Sequence, residues 1–284
     1  MNNNNEFFMD DFFEYWDNAL KYWREEGRVP NSQKFWFEEQ SHLNLYSELM
    51  PEPYWGDIDN NSVVFINFNP AGAETATPDD VSHIFQKENP EKVCGWLSPE
   101  YSKVAVSFPL LSNDPEAYKH YKGAEWWQKR VKWMKQFGIE DNNVKPFAIE
   151  LCAWHSQKWT GGKYQSKLNG DPEIKTYIKT LFGPWLERAL KGSEYHLALC
   201  VGKEFAESVI PLIWPEARDI TKGITGKTDH TIVNGNARKF WVFAIDGLGH
   251  IICTSAQGSN NIPSSSIFGE HEKMIFNKIK GEDF

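Results

Sequence analysis

Ser62-Val63-Val64-Phe65-Ile66-Asn67-Phe68-Asn69-Pro70-Ala71-Gly72 is the stretch on which the fold turns. Its first seven residues are short, apolar and rich in β-branched side chains, which predicts a buried strand. Asn67 sets a polar group inside that run, Pro70 fixes the backbone where the run ends, and Gly72 permits close approach of a ligand. Thr77-Pro78-Asp79-Asp80 then supplies an N-cap, a proline at the first helical position and acids in the first turn, so a helix begins there. A strand that gives way at once to a turn and a helix is the repeating unit of an α/β sheet.

The unit recurs along the chain. Asn113-Asp114-Pro115 heads a helical stretch that Gly138 stops, and Val144 to Cys152 is the second strand. Asp171-Pro172 opens a helix to Lys191 that should kink or break at Gly183-Pro184. Tyr195 to Val201 is a third strand, after which Gly202 leads into a helix from Lys203 to Trp214. Lys239 to Ile245 and His250 to Thr254 are strands joined by the hairpin signal Asp246-Gly247-Leu248-Gly249. Near-continuous apolar strands separated by helices imply a mostly parallel sheet covered on both faces.

Residues 1–50 read differently. Phe12, Trp16, Ala19, Leu20 and Trp23 recur at helical spacing up to Gly27, and Ser32 can cap a second helix through Phe35, Trp36, Leu43, Tyr46 and Leu49. This predicts an N-terminal helical extension over residues 1–50, docked by its aromatic stripes on an α/β domain over residues 51–284. Pro51-Glu52-Pro53-Tyr54-Trp55-Gly56-Asp57 reads as a turn-rich connector between them.

Composition narrows the class. The 284 residues are 40% hydrophobic and 24% charged, which suits a globular chain and excludes collagen-like, coiled-coil or disordered readings. No apolar run reaches the roughly 20 residues that span a bilayer, and the N-terminus lacks the pattern of a signal peptide, so a cytoplasmic protein with no membrane partner is expected. The net charge of −9 argues against broad, non-specific DNA binding while leaving room for a local basic groove. Much of the acid lies in the N-terminal helices and the connector. Lys119, Lys122, Lys129, Arg130, Lys132 and Lys135, interleaved with Trp126, Trp127 and Trp133, form the densest basic segment. Such a segment can follow a nucleic-acid strand, but its spacing is also that of an amphipathic surface helix, the preferred reading.

The four cysteines are far apart and form no C-x-x-C pair, and three of them sit in apolar runs, so they read as buried thiols. Neither a metal nor a cofactor is expected, since no metal-ligand spacing and no Gly-rich phosphate or dinucleotide motif is present.

Ligands of such sheets bind outside the carboxyl ends of the strands. That directs attention to Asn67 to Gly72, Glu150 to Ser156, Gly202, and Ser255 to Asn261. In this first group the strand, the Asn69-Pro70-Ala71-Gly72 turn and the preceding Pro-Glu-Pro-Tyr-Trp-Gly-Asp together resemble the first motif of the uracil-DNA glycosylase superfamily, commonly Gly-x-Asn-Pro-Gly or Gly-x-Asp-Pro-Tyr. In a looser sense the order of elements is similar over roughly residues 50–265.

The resemblance implies a three-layer α/β/α sandwich around a short, mostly parallel sheet. It also implies hydrolysis of the N-glycosidic bond of a damaged or modified base in DNA, with the base flipped into a pocket. Asn69 matches the residue that holds the water attacking C1′; because Asn is not a general base near neutral pH, it would act by orientation. Asn67, Phe68, Pro70 and Gly72 would line the ligand beside it. An Asn also commonly caps the turn that follows it.

The chain departs from the family pattern at three places. Ala71 separates Pro70 from Gly72. Glu150 stands where many members carry an Asn that reads the base edge, and a carboxylate both donates and accepts only when protonated. Glu150 would then favour a donor-rich edge or act as an acid or base if burial raises its pKa, the alternative being a buried Glu paired to Arg or Lys. The final loop, Ser255-Ala256-Gln257-Gly258-Ser259-Asn260-Asn261, has no His to stabilise the leaving base. Gln257 offers a neutral donor there, and Ser259 and Asn260 suit phosphate contacts. His155 is the imagined substitute, beside Trp154 at the expected pocket wall. The partner is therefore DNA or a nucleotide ligand. The alternative is a relative that binds a nucleotide or nucleic acid without excising a base, or an interaction protein whose aromatics meet a partner.

Overall fold

The computed structural model describes residues 12–37, 43–47, 51–68, 130, 134–135, 139, 145–156, 161–225, 231–234, 236–255 and 277. The helices expected from Thr77 and Asn113, and Cys94, lie outside the described residues.

Four strands form the centre of a mixed α/β structure: β2 (Val63–Asn67), β3 (Pro146–Glu150), β4 (Leu197–Val201) and β8 (Gly249–Thr254). They pair in parallel in the order β3-β2-β4-β8. Their side chains are buried on both faces almost throughout, which is why they read in sequence as unbroken apolar runs rather than alternating ones. The expectation of a mostly parallel sheet holds for these four. Antiparallel strands extend the sheet on both sides: β1 (Tyr54–Trp55) beside β3, and β7 (Asn236–Ile245) beside β8, with β5 (Arg218–Asp219) and β6 (Thr231–Asn234) each paired to β7. The connector thus contributes an edge strand, and the hairpin predicted at Asp246 to Gly249 joins β7 to β8, with Gly247 in the left-handed region at φ 71°.

The chain steps from β2 to β3 on one side and then crosses to β4 on the other. The sheet therefore has a switch point between β2 and β4, at whose carboxyl ends a crevice is expected. Gly202 (φ 135°) follows β4 there, and a Cβ on it would lie 2.7 Å from the Phe68 ring. Phe68 in turn packs on Phe205, with ring centroids 4.2 Å apart and planes tilted by 40°.

Helix α1 (Phe12–Glu26) buries Phe12, Trp16, Ala19 and Leu20 of the predicted face, with Trp23 half-buried and Tyr15 buried beside them, and ends at Gly27 (φ 60°), whose N–H reaches the Trp23 carbonyl. Its aromatics are built into the sheet's own core. Phe12 contacts Tyr54, Phe147 and Trp185, and Trp16 contacts Trp185. The second predicted helix is instead a 3-10 helix, Asn31–Phe37, and Leu43 to Ser47 is non-helical, with Leu45 bridged to Ser156. Backbone pairing with the chain after β3 outweighs the helical spacing there.

Helix α2 (Gly161–Gly170) leads to α3 (Pro172–Tyr177), capped by the Asp171 side chain on the amides of Glu173 and Ile174 at 2.9 and 3.2 Å. Of the kink or break expected at Gly183-Pro184, the break does not occur, and the helix runs on through both residues. A π-helical turn, Ile178–Phe182, widens the helix by one residue and passes it into α4 (Gly183–Lys191). Proline ejects a hydrogen bond and collides with the carbonyl four residues back; the wider turn relieves both. The same device recurs ahead of Pro211, where a π turn at Phe205–Val209 runs into α5 (Ile210–Ile213). A short α6 (Thr221–Thr225) follows β5, and among the described residues no helix is long and apolar enough to cross a membrane.

Gly56 (φ 92°) turns the chain out of β1 so tightly that a Cβ would overlap the Pro146 carbonyl oxygen, whereas Gly247 has open space around it. Gly56→Ala is therefore expected to cost about 2–4 kcal/mol by combining overlap with an unfavourable φ, and Gly247→Ala only about 1 kcal/mol from φ alone. Urea denaturation followed by tryptophan fluorescence checks the order; equal losses would contradict it.

Candidate functional site

The parallel register of β2 and β3 sets Asn67 directly opposite Glu150, the last residue of each strand. Asn67 Nδ2 donates to Glu150 Oε1 at 2.9 Å, and the buried Arg130 donates through Nη2 to Asn67 Oδ1 at a longer 3.5 Å. Guanidinium carries donors alone, which fixes the amide: its oxygen faces Arg130 and its nitrogen faces Glu150. A carboxyl, an amide and a guanidinium thus stand in a buried row at the carboxyl edge of the sheet.

Beyond Glu150 the chain bulges. The Glu150 amide donates to the Pro53 carbonyl at 2.9 Å, and the next contact across the same edge runs from the Glu52 amide to the Ala153 carbonyl at 2.8 Å. One step on the Pro51–Trp55 side is matched by three on the other. The extra residues, Leu151 and Cys152, turn their amides to the carbonyls of Asn67 and Phe68 at 2.9 and 2.7 Å. Bulges of this kind re-aim side chains next to sites. Here the result is that Glu52 Oε1 lies 4.0 Å from His155 Nε2, with side chains 19% and 16% exposed, while Glu150 is sealed at 7% for the whole residue.

Burial governs the charges. It pushes the Glu150 carboxyl up to about 8, against the opposing hydrogen bond from Asn67, with Glu52 adding a smaller upward push and Arg130 a downward one. Burial also lifts Glu52 to about 7 and lowers Arg130 to about 9, the latter opposed by Glu150. Near neutral pH the row therefore holds a protonated Glu150 and a charged Arg130. With Oε1 accepting from Asn67, Glu150 Oε2 is buried and has no hydrogen-bond partner. As a neutral acid it presents an O–H donor and keeps acceptor capacity. Burial raises the Glu150 pKa, and Arg130 reaches the row through Asn67 rather than by direct pairing with Glu150.

On the other side of the switch point Thr254 ends β8 fully buried, its Oγ1 without a hydrogen-bond partner, and its carbonyl accepts from the Gly202 amide at 2.8 Å. Glu204 is buried nearby and its carboxyl is likewise pushed up by desolvation. Among the described residues no group of three or more His, Cys, Asp and Glu side chains is placed to hold a metal ion.

Of the residues singled out by sequence, Asn67 and Glu150 come together, and His155 stands beside Glu52. Asn69, Pro70, Gly72, Gln257, Ser259 and Asn260 lie outside the described residues. Trp154, expected at the pocket wall, is instead buried and stands edge-on to Phe37 at 5.0 Å; Phe68, expected beside the ligand, is packed on Phe205. In both cases the apolar ring gains more from the core than from an open crevice. Cys152, Cys200 and Cys253 are buried and free, and burial raises the Cys152 and Cys200 thiols.

Glu52 and Arg130 were missed. Glu52 is hidden between two prolines in an apparent connector, and Arg130 in a basic stretch whose members look alike. A buried Glu at a strand end requires donors from elsewhere, and that requirement was the available signal for an inward Arg. No protein-family model, curated protein or solved structure matches the chain.

A carboxyl whose pKa is raised in the folded state binds a proton the unfolded chain has released, so its stability contribution is present below the unfolded value near 4.5 and is lost as pH rises through about 8. Urea midpoints for the native protein are expected to fall between pH 5 and pH 8. In Glu150→Gln, whose amide cannot ionise, the fall is expected to be shallower by up to roughly 1.4 kcal/mol per pH unit. Parallel curves for the two proteins would show that Glu150 is ionised in the folded state.

Proposed function

We propose that the chain is a divergent member of the uracil-DNA glycosylase superfamily, a three-layer α/β/α sandwich that hydrolyses the N-glycosidic bond of a damaged or modified base in DNA. The observation that carries this reading is the Asn67–Glu150 hydrogen bond of 2.9 Å at the paired ends of β2 and β3. It lies immediately before Asn69-Pro70-Ala71-Gly72, at the edge where such sheets take their ligands.

In this reading Asn69 holds a water by its carboxamide, and the water oxygen attacks C1′ as the bond to the base nitrogen breaks and its electron pair leaves with the base. Charge then gathers on the base carbonyls. A neutral Glu150 can donate there through Oε2, which meets the difficulty that an ionised carboxylate in place of an amide has nothing to donate. It also offsets the absence of His from the final loop, because an acid poised near neutral pH can give up its proton as the base departs.

One observation favours a second reading, a non-excising relative that binds a nucleotide or nucleic acid. Both ends of the Asn67 carboxamide are engaged by protein groups, Glu150 and Arg130. A row satisfied from within can serve as a rigid floor for a bound base without taking part in bond cleavage.

Strand cleavage at abasic sites in uracil-, hypoxanthine- and xanthine-containing oligonucleotides, single- and double-stranded, separates the two. Excision of at least one base is expected, reduced by roughly 10²–10³ in Asn69→Ala. Binding of these oligonucleotides with no excision of any base would replace the first reading by the second.

A further inference from the structure

We infer that the ribbon formed by β6 and the start of β7 is an arm that holds the phosphate backbone of double-stranded DNA to one side of the site. The arm's role rests on the proposal that this sheet edge takes DNA, with or without excision of a base, and it employs a ribbon that the proposal leaves unused.

β7 has ten residues, and only the last six, Phe240 to Ile245, pair with β8. Asn236 to Lys239 pair instead with Asn234 to Thr231, so β6 and β7 run on together as a two-stranded ribbon. The register of the sheet shows where it points. Glu150 faces Asn67, Val201 faces Thr254 and Thr254 faces Phe240, while Ile66 opposite Cys200 ties the two halves, so these ends lie level across the sheet. The ribbon therefore continues past the carboxyl edge by four residues, about 13 Å, and stands four strand spacings from Glu150, about 19 Å. A ribbon of this kind gains little stability from its own pairing, and among the described residues β6 has no strand beside it other than β7.

Double-stranded DNA suits the ribbon in shape and in charge. The major groove admits a two-stranded ribbon, and the phosphates that border it attract cations. Residues 221–240 hold four basic side chains and one acid, against 30 and 39 in the whole chain. Arg238 and Lys239 belong to the ribbon, and Lys239 is exposed. Two more exposed lysines flank its base. Lys203 follows Gly202, whose amide donates to the Thr254 carbonyl, and Lys222 lies on α6, which β5 leads toward the same edge. The acids nearby are engaged by protein groups: Asp219 accepts from the Thr221 amide and hydroxyl at 3.0 and 2.6 Å, and Glu207 from Gln165 at 3.2 Å. Since a DNA strand carries one phosphate per 3.4 Å or so, about 19 Å places the arm about five or six phosphates from a base held at Glu150.

Fluorescence anisotropy of a labelled, uracil-containing duplex, titrated with the full chain over a series of NaCl concentrations, tests this. Each phosphate contact adds about 0.9 to the slope of log K against log salt, so the double variant Arg238→Gln, Lys239→Gln is expected to lower the slope by about 1.8. Thr231→Lys, which adds a cation opposite Lys239, should raise it by about 0.9. Lys191→Gln, beside the Gly192–Asn61 contact at the opposite edge of the sheet, should leave it unchanged. On a hairpin-closed duplex cut to about three base pairs on each side of the uracil, native protein and double variant should bind alike, because the arm no longer reaches a phosphate. A double variant that binds the long duplex with the native slope overturns the arm and leaves the DNA proposal standing. So does one that self-associates in sedimentation while its DNA binding stays native, the mark of charges that only guard a strand edge. A difference that persists on the short duplex overturns the arm's placement. A native protein that binds no duplex overturns the DNA proposal and the arm with it.

Discussion

Asn67 and Glu150 end adjacent parallel strands in register, and that coincidence places a carboxyl where bulk water does not reach. An ionised carboxylate left alone there would cost several kcal/mol even after relaxation. Three features reduce the cost: Asn67 turns its nitrogen to Oε1, Arg130 comes in behind the amide oxygen, and the carboxyl keeps its proton. Each constrains the next. With Arg130 fixing the amide and the amide filling Oε1, the orientation of the remaining oxygen is set by the protein before any ligand arrives, which is the preorganisation that a binding or catalytic group needs.

Such a row keeps its geometry only if the strands beneath it cannot slide. The four parallel strands are buried on both faces, and a one-residue slip would drag apolar side chains past one another throughout the core. Helix α1 reinforces the β3 side, where Phe12 packs on Phe147 and Tyr54 together. The two π turns serve the same end, since they let Pro184 and Pro211 sit inside helices that continue to cover the core rather than breaking away from it.

The central strands, the β7–β8 hairpin, the Asp171 cap and the buried face of α1 were legible in the sequence because each is encoded over a few consecutive residues. What escaped is encoded between distant ones. β1 is two residues long and exists only through its pairing with Ile149 and Ala148. The π turns depend on helix packing that proline chemistry alone does not reveal. In the site, Glu150 and Asn67 were marked by polarity at apolar strand ends, a local contrast. Arg130 enters the site through a contact with a residue 63 positions away, and Glu52 gains its position from a bulge in the chain opposite. Trp154 misleads in the opposite direction, because an indole that could stack on a base is equally suited to fill a core.

The acidic balance of the chain bears differently on a DNA or nucleotide ligand once the row is taken into account. The formal charge of −9 counts every carboxyl as ionised. At the carboxyl edge of the sheet, burial raises Glu150 to about 8 and Glu52 to about 7, so protons there cancel part of the charge that the count assigns, while Arg130 at about 9 keeps its own. In the proposed site the field felt by an entering phosphate or a departing base is therefore less negative than the composition suggests, and it becomes more repulsive as pH rises past neutrality and Glu52 and then Glu150 ionise. The same desolvation that costs stability thus makes an acidic chain locally tolerant of an anionic ligand, and couples that tolerance to the protonation state on which the proposed Glu150 acid depends.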